Sequence, residues 1–376
     1  MDKIQFNDLG AQYSRLKSEI DKGIADVISG SHFISGPQTE ELERELCAYT
    51  GRKYCVSTSN GTDALLMPLM AEGIGEGDAV FVPAFTFFAT AEVASFVGAT
   101  PVFCDVEEDT FNISLKSLTE QLEKVIREGK LKPKAVIAVD LFGLPADYLE
   151  LEAICKKHGL LLIEDSAQGF GGKIGERKAC AFGDVSTTSF FPAKALGCYG
   201  DGGAIFTDDE KMYELLVSIR VHGKGAFKYE NVRIGLNARL DTLQAAILLP
   251  KLHVFDDEVA RRNWAAARYS EQLKDKFAIP AVPDGYFSSF GYYTLRAKNE
   301  EQRTKAMELL NSAGVPTMIY YPIPLHLQKV YKPLGYREGD LPVSEKLCKT
   351  VFSLPMHGYI TEEVIDYICK TLHTID

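Results

Sequence analysis

The chain has 376 residues, 46% of them hydrophobic and 25% charged, with a formal net charge of −11. That length exceeds the roughly 250–300 residues at which one core stops growing, so two domains are expected. The acidic total argues against a broad nucleic-acid surface, and no apolar run approaches the ~18 residues of a membrane span; one small anion pocket remains compatible with it.

The eight cysteines include no CxxC pair. They read as small core residues in a reducing compartment, and nothing in their spacing asks for a metal. The opening MDKIQFNDLG lacks the apolar stretch of a signal peptide, so a cytoplasmic enzyme is the expectation.

The first 50 residues read as an arm and then a helix over 39–49, opening after Gly36-Pro37. From residue 54 short apolar runs alternate with amphipathic stretches. Strands are expected at 54–57, 79–82, 101–105, 134–140 and 161–165, and helices at 61–72, 89–97, 115–128 and 149–158. Two further strands are expected at 185–190 and 204–207. This alternation predicts an α/β fold with a mostly parallel sheet covered on both faces. Ligands in such folds lie beyond the carboxyl ends of the strands. After about residue 252 a long charged helix leads to a strand at 292–296 and helices at 300–313 and 343–347. We read residues 1–252 as an arm with a large domain, and 253–376 as a smaller α+β domain.

Three strings carry chemistry. Asn60-Gly61-Thr62-Asp63 joins a strand to a helix, where backbone N–H groups and the helix dipole favour an anion. The same string also fits plain capping by Asn60 or Thr62. Asp165 ends the apolar run LLLIED, so its carboxylate emerges at a strand end and can face a cation such as a protonated pyridine nitrogen; capping of the next turn is the alternative. Gln168, three residues on, could reach a phenolic oxygen. Lys194, in SFFPAKAL, has no acidic neighbour within six residues. Desolvation there lowers an amine and makes it nucleophilic. Ser189 can donate to a phosphate, and glycines 200, 202 and 203 suggest a backbone passing close to something bulky.

The order phosphate turn, Asp165, Lys194 is the layout of pyridoxal-phosphate (PLP) enzymes of fold type I. With NGTDAL, PAFTFFATAEV, VDLFGLPAD, IEDSAQGFGG, TSFFPAKALGCYGDGGAIFT, GLNARLDTLQAAILLPKL and YYPIPLHLQ, the chain resembles the nucleotide-sugar aminotransferases of the DegT family over nearly its whole length. The resemblance implies a PLP-dependent transferase fold of type I, with Lys194 as the Schiff-base lysine. It implies Asp165 at the pyridine nitrogen, Gln168 at the phenolic oxygen, Gly61, Thr62 and Ser189 at the phosphate, and Phe87 stacked on the ring. Asn237 would reach the phosphate from a neighbouring subunit, so a homodimer with shared sites is implied. Phe33, Arg239, Tyr320 and Tyr321 match positions near the sugar nucleotide.

Lysine rather than histidine at 194 favours transamination over dehydration. The implied reaction takes an amino group from glutamate, through pyridoxamine phosphate (PMP), to a keto-sugar used in surface polysaccharide. UDP-2-acetamido-2-deoxy-3-oxo-glucuronate is the first choice. That branch carries His-Tyr where this chain has Tyr320-Tyr321. A 4-keto-6-deoxy nucleotide sugar, a PLP-dependent sugar dehydratase and a non-enzymatic ligand sensor are the competing readings.

Overall fold

The computed structural model describes residues 3–227 and 229–375; Lys228, in the charged loop before Asn237, lies outside them. In α1 (Leu9–Gly30) the Asp8 side chain accepts from the Ala11 N–H, and Gln12, Leu16, Ile20 and Val27 form the buried stripe. α2 (Pro37–Thr50) opens on proline, whose missing N–H costs nothing at a first helical position. There follow β1 (Tyr54–Thr58), α3 (Gly61–Ala71), β2 (Asp78–Pro83), α4 (Ala89–Phe96), β3 (Thr100–Cys104), α5 (Leu115–Glu128), β4 (Lys132–Val139), α6 (Tyr148–His158) and β5 (Leu161–Asp165). The short strands β6 (Lys173–Ile174) and β7 (Arg177–Lys178) precede β8 (Val185–Ser189), β9 (Gly203–Thr207), α7 (Glu210–Arg220), α8 (Thr242–His253) and α9 (Phe255–Leu273). The chain ends with β10 (Tyr286–Phe287), β11 (Tyr293–Arg296), α10 (Glu300–Ser312), α11 (Pro342–Thr350), β12 (Val351–Leu354) and α12 (Glu362–His373).

Seven strands form one sheet in the order β1-β9-β8-β5-β4-β2-β3. β9 runs antiparallel to both of its neighbours, and the other pairings are parallel. The central strands are buried almost throughout, as helices on both faces require. The carboxyl ends of β1, β2, β4, β5 and β8 therefore share one edge of the sheet. A second core gathers Tyr269, Tyr293, Leu310, Phe352 and Ile368 around the antiparallel pair β11-β12, and Ile4 from the N-terminal segment joins it.

The arm expected at the start is in fact the 22-residue helix α1. Its stripe is narrow among charged residues, and contact with α8 orders it: a Cβ on Gly23 would sit 3.1 Å from the Ala246 carbonyl. α7, α8, β12 and α12 are also additions to the expected elements. α8 is buried nearly all round, so it shows no helical period. The buried set Ile365, Ile368, Cys369 and Leu372 of α12 does have helical spacing and was legible.

Candidate active site

A cavity of about 410 Å³ opens at the carboxyl edge of the sheet, within the range of small-molecule sites. Each strand end delivers part of its wall. The turn after β1 supplies Asn60, Gly61 and Thr62, the segment after β2 supplies Thr86 and Phe87, and β5 ends on Asp165 with Ala167 and Gln168 following. β8 supplies Ser189 and then Lys194, and Tyr292, Tyr320 and Tyr321 close the cavity from the C-terminal half.

At the α3 terminus the Asn60 side chain accepts from the Asp63 N–H at 2.7 Å. Capping therefore occurs, but it satisfies Asp63, and Gly61 and Thr62 line the cavity. A Cβ on Gly61 would lie 2.7 Å from the Ser189 Cβ, so glycine is what lets this turn close onto Ser189. The result is a cradle of N–H and hydroxyl donors at a helix N-terminus, suited to a phosphate.

Asp165 is buried. Its Oδ2 accepts from the Thr90 hydroxyl at 2.9 Å and its Oδ1 from the Ala167 N–H at 3.2 Å. Burial pushes the carboxyl above its ordinary value, and Thr90, the Ala167 N–H and the Lys194 ammonium pull it back. Lys194 is half-buried and lines the cavity. Desolvation lowers that amine, opposed by the Asp165 charge. The Gln168 amide is held at both ends: Oε1 accepts from the Phe142 N–H at 2.9 Å, and Nε2 donates to the Tyr321 hydroxyl at 2.9 Å. Phe87 is 55% exposed at the cavity. Burial raises the Tyr320 hydroxyl to about 12 and the Tyr321 hydroxyl well above its usual value, so both are neutral donors near pH 7.

The structure thus brings Gly61, Thr62, Phe87, Asp165, Gln168, Ser189, Lys194, Tyr320 and Tyr321 together. It does not bring Asn237, Arg239 or Phe33 to this cavity. Asn237 is exposed and its Oδ1 accepts from Arg239 at 2.6 Å, while Phe33 is 45% exposed. Thr90 and Tyr292 escape sequence reasoning. Thr90 lies within TFFATAEV, and nothing local shows that its hydroxyl meets a carboxylate 75 residues away. Glycines 202 and 203 do carry close approaches, with a Cβ on Gly203 falling 2.6 Å from the Asn60 carbonyl. Among the described residues no His/Cys/Asp/Glu group could hold a metal, and no helix is long and apolar enough to cross a membrane.

A desolvated lysine facing a buried carboxylate, with a phosphate cradle on the same edge of a mostly parallel sheet, defines a PLP-dependent enzyme of fold type I. The donor set fits that cofactor: an amine, an acid for a ring nitrogen, and an anion cradle that a Cβ at position 61 would obstruct. The chain belongs to the DegT/DnrJ/EryC1/StrS aminotransferase family, whose description matches residues 14–373. It is 43% identical to the UDP-2-acetamido-2-deoxy-3-oxo-D-glucuronate aminotransferase of Pseudomonas aeruginosa, over 98% of this chain and 99% of that one. A DegT DnrJ EryC1 StrS aminotransferase from Brucella abortus superposes with a TM-score of 0.95 at 48% identity, covering 98% of each chain. NtdA from Bacillus subtilis, with bound cofactor PMP, superposes with a TM-score of 0.85 at 29% identity, over 95% of this chain and 81% of that one. The protein is an aminotransferase acting on sugars, and its cofactor is PLP.

Proposed function

We propose that this chain transfers the amino group of glutamate to a nucleotide-linked keto-sugar in the cytoplasm, with UDP-2-acetamido-2-deoxy-3-oxo-glucuronate as first choice. The observation that carries this reading is the cavity in which Lys194 faces Asp165 beside the Gly61–Ser189 cradle. When bound, PLP supplies an electron sink at the carbon that loses its proton.

The Gly61 and Thr62 N–H groups and the Ser189 hydroxyl would hold the phosphate. Asp165, aimed by Thr90, would keep the ring nitrogen protonated, and Gln168 would meet the phenolic oxygen. Phe87, which lines the cavity, would stack on the ring, where an aromatic suits a flat heterocycle. Lys194 Nζ would hold the cofactor. The same amine would carry the proton to and from the substrate carbon, a task its lowered pKa suits near neutral pH. Asn237, Arg239 and Phe33 lie outside this cavity, and we assign them to the site of a second subunit in a homodimer.

The choice of sugar rests on the relative from Pseudomonas aeruginosa and on the two neutral tyrosine hydroxyls. A hydroxyl donor to a uronate carboxylate makes a charge-assisted bond, and a neutral CH₂OH or methyl offers a weaker acceptor or none. Tyr320 in place of histidine removes a potential cation, so the preference for a uronate is smaller than a cationic side chain would give. The test compares kcat/KM for a UDP-3-oxo uronate and a UDP-4-keto-6-deoxy sugar in wild type, Tyr320→Phe and Arg239→Ala. Wild-type preference for the neutral sugar, or equal effects of both substitutions on both sugars, overturns the substrate assignment. Lys194→Ala tests the cofactor assignment: the variant should fold, lose turnover and lose the visible band of lysine-bound PLP.

A further inference from the structure

The N-terminal segment before α1 touches the active site at two places. It precedes the span matched by the family. Asn7 Nδ2 donates to the Ala193 carbonyl at 3.2 Å, on the peptide that leads into Lys194. Among the described residues Asn7 is the only side-chain donor to that carbonyl. One residue earlier, the Phe6 ring meets the Tyr320 ring edge-on, with centroids 6.2 Å apart. The segment therefore bridges the lysine turn and the sugar-side tyrosine, 126 residues apart by sequence (320 − 194).

Its own position is secured at both ends. Ile4 is buried in the second core, and the Phe6 carbonyl accepts from the Met356 N–H at 3.1 Å. On the other side Asp8 caps α1. Gln12 donates to Glu258 of α9 at 2.8 Å, and the Tyr359 hydroxyl donates to the same carboxylate. A small polar cavity behind the lysine turn is lined by Asn7, Gln12, Lys194, Glu258, Arg262 and His357, so the segment forms part of the wall against which Lys194 sits. Within its loop the Lys194 N–H donates to the Phe191 carbonyl at 2.8 Å, and beyond the lysine Lys251 of α8 donates to the Gly197 carbonyl at 2.6 Å.

We propose that Asn7 and Phe6 are positioning residues of the active site, Asn7 fixing the backbone that aims Lys194 and Phe6 fixing the Tyr320 ring against the sugar. The inference rests on Lys194 holding the cofactor. Because Lys194 serves both half-reactions and Tyr320 only the sugar half, the two residues have different signatures.

The experiment uses the PLP-loaded enzyme and measures each half-reaction separately. Asn7→Leu keeps the size and removes the donor. It should slow both half-reactions about five- to tenfold, the effect of one lost hydrogen bond, and shift the pH midpoint of the visible band, with KM for the sugar unchanged. Phe6→Leu should raise KM for the sugar several-fold and leave the glutamate half-reaction and the band unchanged. Thermal unfolding of both variants is followed alongside. If Asn7→Leu leaves both half-reactions at the wild-type rate, if Phe6→Leu slows both alike, or if either variant lowers the melting temperature without moving band or KM, the residues are merely structural and the proposal is overturned. The wild-type response to glutamate in the absence of any sugar tests the cofactor assignment itself, so a failure there is distinct from a failure confined to the variants.

Discussion

Asp165 shows what one residue gains from its surroundings. A carboxyl so buried is pushed toward its neutral form, and a neutral acid cannot keep a pyridine nitrogen protonated. The Thr90 hydroxyl and the Ala167 N–H oppose that push, since each bonds the ionised form. Replacing Asp165 with Asn should cost about a hundredfold or more in kcat, the scale of losing one preorganised electrostatic partner, while most of the cofactor is retained by the phosphate cradle. Near-normal turnover in that variant would show Asp165 to be only a cap. Thr90→Val should move the acid limb of the kcat profile to higher pH by about half to one unit, the equivalent of one hydrogen bond. An unmoved limb would mean that the hydroxyl has no influence on the charge of Asp165.

At the scale of elements, the carboxyl end of β4 and the strand β5 bring two more acids together beneath the site. Asp140 and Glu164 are both fully buried. Glu164 accepts from the Cys180 and Phe182 N–H groups at 2.7 and 2.8 Å, which favours its charge. Asp140 Oδ1 accepts from the Tyr148 hydroxyl at 2.7 Å, and Oδ2 has no donor among the described residues. Burial and then the Glu164 charge raise the Asp140 carboxyl well above its ordinary value, so Asp140 carries the proton of the pair. A carboxyl raised on folding gives stability that is full below its unfolded value near 4 and declines as pH climbs toward the folded value. Each unit of that window costs about 1.4 kcal/mol. Asp140→Asn cannot ionise when unfolded and escapes this loss. Its melting temperature relative to wild type should therefore rise from pH 4 to pH 8. A deficit that stays constant across that range would mean an ionised Asp140 instead. The same pair shapes the site, since a Cβ on Gly169 would fall 2.3 Å from the Asp140 Cβ; the turn that presents Asp165 and Gln168 closes directly over it.

For the whole molecule, the residues absent from the cavity point outward. Asn237 is exposed beside Arg239, and Phe227, Val232 and Ile234 of the loop leading to it are 70%, 53% and 85% exposed. Apolar side chains left outside in one stretch of loop suit a subunit contact. In a homodimer with shared sites, mixing Lys194→Ala with Asn237→Ala subunits should restore part of the lost activity. One of the two sites then receives both intact residues. Absence of recovery, or a fully active monomer by light scattering, would rule out sharing. We also propose a domain boundary at residue 252, on the ground that the second core forms around β11 and β12; Ile4 ties the first residues of the chain to that core.

The local order of the chain was decided by sequence alone. The strand end at Asp165, a strand over 185–190 that the structure ends one residue earlier at Ser189, the turn at Gly61 and the apolar setting of Lys194 follow from short-range periodicity, glycine placement and the run of neighbours, because a strand buried on both faces must be apolar until it emerges. Only the tertiary structure decided what those ends meet. Thr90 on Asp165, Tyr321 on Gln168, Asn7 behind Lys194 and the helix α1 against α8 are contacts between segments far apart along the chain. Their geometry is set by how helices pack across a twisted sheet, and no local pattern of residues encodes it.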